Sequence, residues 1–133
     1  MRQRRFFAGA LLWQLLACIG TVSAADSDRT RQVLLLYAES RLAPAIVQMD
    51  AAFRSTVSST LGAPVVFHTE FLDLPPTQSA EFERRLRDLL RVKYQDVHLD
   101  LVMAAAPRAL RIALDYRADL APTAPIVFLA VDA

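Results

Sequence analysis

The stretch "QVLLLY", residues 32–37, decides the fold of this chain. It is a short, continuous apolar run, which is typical of a strand buried on both faces of a sheet. Three further runs repeat this pattern: "VVFHTEFL" at 65–72, "LDLVMAAA" at 99–106 and "IVFLAV" at 126–131. His68 and Glu70 fall on one face of the second run, as expected for an edge strand. The sequence therefore predicts four strands.

Segments with helical periodicity separate the strands, and prolines at Pro44 and Pro107 mark the first turns of two of them. The predicted inward residues are Ile46, Met49, Phe53, Val57 and Leu61 in the first segment, Phe82, Leu86, Leu89 and Leu90 in the second, and Leu110, Ala113 and Leu114 in the third. This order predicts an α/β fold with a parallel sheet of about four strands and helices on both faces. Because no helix follows the last strand, we expect the unit to be incomplete.

Residues 1–25 have the three-part pattern of a secretory signal peptide. Three arginines precede a charge-free run from Phe6 to Ala25, and small residues near its end predict cleavage after Ala24 or Ala25. We therefore expect an exported, periplasmic protein. The alternative is an uncleaved membrane anchor, because the 20 charge-free residues are just long enough to span a bilayer. A lipoprotein box at Cys18 and a twin-arginine signal fit the segment less well.

The remaining residues, 26–133, form one slightly acidic domain. All 14 acidic residues lie there but only 12 of the 15 basic ones, because three arginines belong to the leader, so the net charge is near −2. A domain of this charge without a basic stripe is a poor nucleic-acid binder. The single cysteine, Cys18, lies in the leader, so the exported part depends on a packed core rather than on a disulfide.

The motifs of common enzyme classes are missing from the sequence. No G-x-G-x-x-G follows the first strand, and neither a P-loop nor a G-x-S-x-G occurs. His68 and His98 have no cysteines or paired carboxylates at ligand spacing, so we expect no metal and no cofactor. Ser40 and Glu39 have no histidine placed in sequence to serve a nucleophile, so we expect no catalytic residue.

The exits of the first and third strands are the best candidate site. Ligands of open α/β sheets bind at the carboxyl ends of strands, where the strand order reverses. Right-handed crossovers place the second strand on one side of the first and the third strand on the other. The two exits, "YAES" at 37–40 and "AAAPR" at 104–108, each open a helix whose N–H groups can hold a polar or anionic group. Tyr37 and Ser40 are thus predicted to line one wall of a crevice.

A purely structural interpretation of the same residues stays open at this point. Ser40 would then only cap the first helix, and Tyr37 would only close the end of the sheet. Arg108 and Arg111 would form a solvated helix face.

Five stretches together resemble a known family: "QVLLLYAESRLAPAI", "TEFLDLPP", "LRDLLRVKY", "LDLVMAAAPRAL" and "APIVFLAVD". Their order and spacing are similar to those in the first lobe of the periplasmic-binding-protein-like family, over about residues 32–132. This family includes solute-binding proteins of ABC transporters and extracytoplasmic sensor domains of membrane histidine kinases. Of these, "YAESRLAPAI" and "RALRIALDYRADLAP" are more similar to the sensor group.

The resemblance implies a Rossmann-like lobe of a type I periplasmic binding protein, in which residues 26–133 are the first of two lobes that close on a small molecule. The family's ligand positions then fall on Ala38, Glu39, Ser40, Ala105, Ala106 and Asp132. The exit "AAAPR" departs from the polar or glycine-containing turn that is common there, which leaves mainly backbone N–H donors.

The function implied is a ligand-binding sensor lobe in two-component signal transduction, with any kinase activity in a downstream membrane module. One alternative is the solute-binding component of an ABC transporter, with a permease as partner. The other is a stand-alone interaction module or a non-functional fragment.

Overall fold

A computed structural model describes residues 29–129. The predicted signal peptide and Asp132 therefore lie outside the described residues. The elements follow one another as β1 (Arg31–Tyr37), α1 (Pro44–Leu61), β2 (Val65–Phe71), α2 (Ala80–Tyr94), β3 (Leu101–Ala105), α3 (Pro107–Asp115), α4 (Arg117–Leu120) and β4 (Ile126–Leu129). Among the helices of this part of the chain, none has the length and apolarity that crossing a membrane requires.

The four strands form one parallel sheet in the order β2-β1-β3-β4. Leu34 of β1 lies opposite His68 of β2 on one side and opposite Val102 of β3 on the other. This confirms the predicted parallel α/β sheet and the reversal of strand order between β1 and β3. It also confirms β2 as an edge strand, and residues 33–37 of β1 are all apolar and buried because β1 lies between two other strands.

Helices cover both faces of the sheet, as predicted. Successive residues of β1 point to opposite faces and so belong to two separate cores. Leu34 packs with Leu90 of α2 and Ile112 of α3, which defines the α2–α3 face. Leu35 packs with Ile46 of α1, which defines the α1 face.

The helix boundaries follow from capping residues in the sequence. α1 begins at Pro44, and Gly62 ends it with a φ of 61°, the left-handed conformation that glycine adopts without a steric penalty. Ser79 caps α2 because its hydroxyl accepts a hydrogen bond from the Phe82 amide at 3.1 Å.

The predicted inward faces of the helices contain three errors: Leu61, Leu89 and Leu114 are exposed. In α2, the inner positions near its end are taken by Leu90 and Tyr94, four residues apart, which turns Leu89 outward. In α3, the buried residues are Ala109, Ile112 and Ala113. Leu61 is the last residue of α1, directly before the Gly62 cap that ends the helix.

Candidate functional site

The structure brings the predicted exits of β1 and β3 side by side. Tyr37 and Ala105 are partners in the parallel register, and adjacent strands lie about 4.8 Å apart. Ala38 and Ala106 therefore leave the sheet as neighbours. On the far side of β3, the Ala106 amide donates to the Leu129 carbonyl at 3.0 Å, which fixes the start of the β3 exit against β4.

Tyr37 is fully buried on the α1 face. Its hydroxyl donates to the Asp50 carboxylate of α1 at 2.8 Å, and its ring stacks on Phe71 with centroids 5.1 Å apart. Burial, together with the hydrogen bond to Asp50 and the charge of that carboxylate, raises the pKa of Tyr37 above its ordinary value. The hydroxyl is thus already bonded to α1, and Tyr37 supports the "YAES" turn from behind.

The polar partners of Tyr37 were not predicted from the sequence. Arg54 donates from Nε to Asp50 at 2.8 Å, bonds to the Thr69 hydroxyl of β2, and lies 4.9 Å above the Phe67 ring. This network ties α1 to β1 and β2. One sequence feature could have indicated this network: Asp50 and Arg54 are the only charged residues of α1, and their i,i+4 spacing places them side by side on the helix.

The turn that follows Tyr37 opens progressively to solvent. Ala38 is buried, Ser40 is half-buried and Glu39 is exposed. The Ser40 hydroxyl accepts from the Leu42 amide at 3.4 Å, and its carbonyl accepts from the Ala43 amide at 3.1 Å. Ala43 is the N-cap of α1, so the interpretation of Ser40 as the cap was wrong.

The exit of β3 holds a strained backbone. Ala106 has φ 74° and ψ 153°, a region that residues other than glycine occupy at a cost of about 1–3 kcal/mol. The following Pro107 keeps Ala106 out of the helical region. An alanine thus occupies a position whose backbone conformation favours glycine.

The segment after β2 crosses the end of β1 and reaches α3; we call residues 72–76 the strap. The Leu72 amide donates to the Tyr37 carbonyl at 2.8 Å, and the Leu74 amide donates to the Ala38 carbonyl at 3.0 Å. Arg108 of α3 donates to the Leu74 carbonyl at 3.1 Å and also to the carbonyl of the next residue, Pro75. The interpretation of Arg108 as a solvated residue was therefore wrong.

A second polar cluster lies at the other face of β2. Glu70 accepts from the buried Tyr94 hydroxyl and pairs with Lys93 at 2.6 Å. His68 Nε2 lies 2.8 Å from Gln32 Oε1. Burial, and after it the hydrogen bond to Glu70, raise the pKa of Tyr94 above its ordinary value. Between residues 29 and 129, no group of three or more His, Cys, Asp or Glu side chains is arranged to hold a metal ion.

Comparison of the chain with protein-family models, with curated proteins and with solved structures found no match. The function is therefore inferred from the geometry of the chain itself. The exits of β1 and β3, the exposed turn after Tyr37 and the strap all lie at the same edge of the sheet.

Proposed function

We propose that residues 26–133 are the first lobe of an extracytoplasmic domain that binds and senses a small polar molecule. The observation that carries this proposal is the reversal of strand order between β1 and β3, with the two exits adjacent. Open parallel sheets bind their ligands at this position. The role as a sensor, rather than as a transport component, comes from the resemblance to histidine-kinase sensor domains.

The groups at this edge favour a polar ligand. Ser40 offers a hydroxyl, Glu39 an exposed carboxylate, and the first turns of α1 and α3 offer N–H groups. Glu39 would repel an anion unless it turned to solvent, so a cationic or hydroxyl-rich molecule suits the set better. Ala38, Ala105 and Ala106 would contribute backbone contacts.

The other lobe would supply the remaining contacts. In the described part of the chain β4 is the edge strand next to β3, and its residues Val127 and Phe128 are exposed apolar side chains. Exposed apolar residues on an edge strand suit packing against a further part of the protein. Asp132, which follows this strand, is proposed as a ligand contact on the resemblance alone.

Binding is tested on a protein that contains these residues together with the proposed second lobe. Thermal-shift screening against amino acids, polyamines, sugars and carboxylates should identify a stabilising compound, whose affinity is then measured by calorimetry. We expect Ser40→Ala to weaken that affinity by roughly 1–3 kcal/mol, the scale of a lost hydrogen bond. Tyr37→Ala should weaken it indirectly, because the buried Tyr37 supports the turn that carries Ser40. Because Tyr37 is buried, the Tyr37→Ala variant must first be shown by circular dichroism to have the native fold.

The matched control is Arg111→Ala, because the Arg111 side chain is 62% exposed on α3. This change should leave the affinity unaltered. If Arg111→Ala weakens binding while Ser40→Ala and Tyr37→Ala do not, the ligand site lies elsewhere. Neighbouring genes test the role: kinase motifs downstream support a sensor, whereas a permease and an ATPase support transport.

Export is tested separately by N-terminal sequencing of protein recovered from the periplasm. We expect the mature chain to begin at Ala25 or Asp26. Recovery of intact Met1, or of a lipid on Cys18, would instead support a membrane anchor.

A further inference from the structure

We propose that the strap, residues 72–76, is a cover that Arg108 holds closed over the exit of β1. Releasing the Arg108 guanidinium would open this edge of the sheet on the α2–α3 face. This closure is a property of the fold and does not require that the edge of the sheet bind a ligand.

One side of the strap is attached to β1. The amides of Leu72 and Leu74 donate to the carbonyls of Tyr37 and Ala38. The Leu74 side chain is buried in the same apolar cluster as Ala38, which is itself only 2% exposed. The strap therefore closes Ala38 off from solvent.

The other side of the strap is attached to α3 by one side chain. Arg108 donates to two successive carbonyls, those of Leu74 and Pro75. A guanidinium can make both bonds at once because its N–H groups form a planar fork. Arg108 forms no ion pair with another described residue, and hydrogen bonds from a charged donor are stronger than neutral ones.

The strap has few means of holding this position by itself. Pro75 and Pro76 have no backbone N–H, so this part of the segment cannot donate hydrogen bonds to the sheet. Asp73, between the two anchored amides, has a φ of 44°, which residues other than glycine seldom adopt. Closure thus depends on anchors outside the strap, and Arg108 is the one on α3.

A buried thiol under the strap tests this dependence. Ala38→Cys is introduced together with Cys18→Ser, which removes the only native cysteine, and the rate of labelling by a thiol reagent is measured. With Arg108 present, we expect slow labelling. With Arg108→Ala, we expect labelling about tenfold faster or more, which corresponds to the loss of hydrogen bonds from a charged donor.

Chemical rescue separates the anchor from a general loss of packing. Millimolar guanidinium should slow the labelling of Arg108→Ala again, because it can occupy the vacated position and donate to the same carbonyls. Arg111→Ala is the matched control: Arg111 lies one turn along α3 but bonds the side chains of Gln78 and Glu83, so its labelling rate should stay that of the parent.

Two results would overturn the proposal. One is a labelling rate in folded Arg108→Ala equal to that of the parent, and the other is a fast rate that guanidinium does not lower. If Arg108→Ala does not fold, Arg108→Lys is used instead. A lysine ammonium group keeps the charge but lacks the planar guanidinium that bonds both carbonyls at once. Faster hydrogen exchange of the Leu74 amide in Arg108→Lys supports the anchor, and unchanged exchange refutes it.

Discussion

The two faces of the sheet are packed in different ways. Within residues 29–129, the cluster on the α2–α3 face contains 16 buried residues, whereas the cluster on the α1 face contains 6. α1 is the longest helix between residues 29 and 129, with 18 residues, yet Ile46 is its only buried residue. Apolar packing therefore stabilises the α2–α3 face more strongly, and the α1 face depends more on its polar network.

The same difference appears at the carboxyl edge of the sheet. On the α2–α3 face the strap is bonded both to β1 and to Arg108. The turn at 39–43, which leads into α1, makes hydrogen bonds of its own over short range, such as Ser40 with Ala43. Regions with few buried contacts open at low free energy, and binding loops are drawn from them. The adjustable side of the proposed site is therefore the α1 side.

The largest effect should come from Leu36→Ala, with Leu35→Ala as its neighbour on the opposite face. Both side chains are fully buried in β1, so exposure cannot distinguish them. We expect Leu36→Ala to lower the free energy of unfolding by about 4–5 kcal/mol and Leu35→Ala by about 2–3 kcal/mol, because loosely held α1 can collapse into the cavity. Urea denaturation measures both, and equal losses would contradict the difference between the faces.

The next effect should be a gain in stability from Ala106→Gly. Glycine adopts the observed backbone conformation without strain, but its unfolded chain has more entropy. The net gain should be about 1 kcal/mol, measured by thermal unfolding. Ala105→Gly is the control, because Ala105 lies inside β3 with no positive φ and should lose stability. A loss of stability in Ala106→Gly as well would show that this position is unstrained.

Tyr37→Phe and Tyr94→Phe compare the polar bonds of the two faces, since Tyr37 donates to Asp50 on the α1 face and Tyr94 to Glu70 on the other. Each change should cost about 1 kcal/mol at neutral pH.

Both hydroxyls have a raised pKa in the folded chain, so their stabilising effect is complete below the ordinary tyrosine pKa of 10.0 and falls as pH rises above it. Stability curves above pH 10.0 should be flatter in each variant than in the parent. An unchanged slope would mean that the hydroxyl ionises as freely as in an unfolded chain.

The strand order, and with it the adjacency of the β1 and β3 exits, could be predicted because it depends on rules of chain connection. Apolar runs such as "QVLLLY" identify strands, and the handedness of crossovers then determines their order. The environment of Tyr37 could not be predicted in this way, because it depends on which face of β1 the ring occupies and on a partner 13 residues away on α1.

Arg108 was misinterpreted for a related reason. Its partners are backbone carbonyls of a proline-containing loop, 34 and 33 residues away. Because every residue has a carbonyl, the sequence does not show which carbonyls a side chain will bond. Helical periodicity also failed to determine the inward face of α3, since a shift of one residue rotates that face by about 100°. Sequence patterns therefore predict the arrangement of the strands, whereas the orientation and partners of side chains at the sheet edge depend on tertiary contacts.

The smallest effect should come from Asp100→Asn at the amino edge of the sheet, away from both helical faces. Burial acts to raise the pKa of the Asp100 carboxyl, but the hydrogen bond from the Gln32 amide and the nearby Arg29 and Arg31 outweigh it and hold the pKa below its usual value. The stabilising effect of Asp100 is thus complete above the ordinary pKa of 3.8 and is lost as pH falls through the lowered value.

We therefore expect Asp100→Asn to cost only about 0.5 kcal/mol at neutral pH, because the Asn side chain can still accept from the Gln32 amide, and to flatten the decline of the free energy of unfolding below pH 3.8. Asp88→Asn, at an exposed carboxylate of α2, should leave that decline unchanged. Because Asp100 lies outside both clusters, the difference between Leu36→Ala and Leu35→Ala should be the same in an Asp100→Asn background. A difference that shrinks there would mean that the amino edge, rather than the packing of each face, separates the two halves of the sheet.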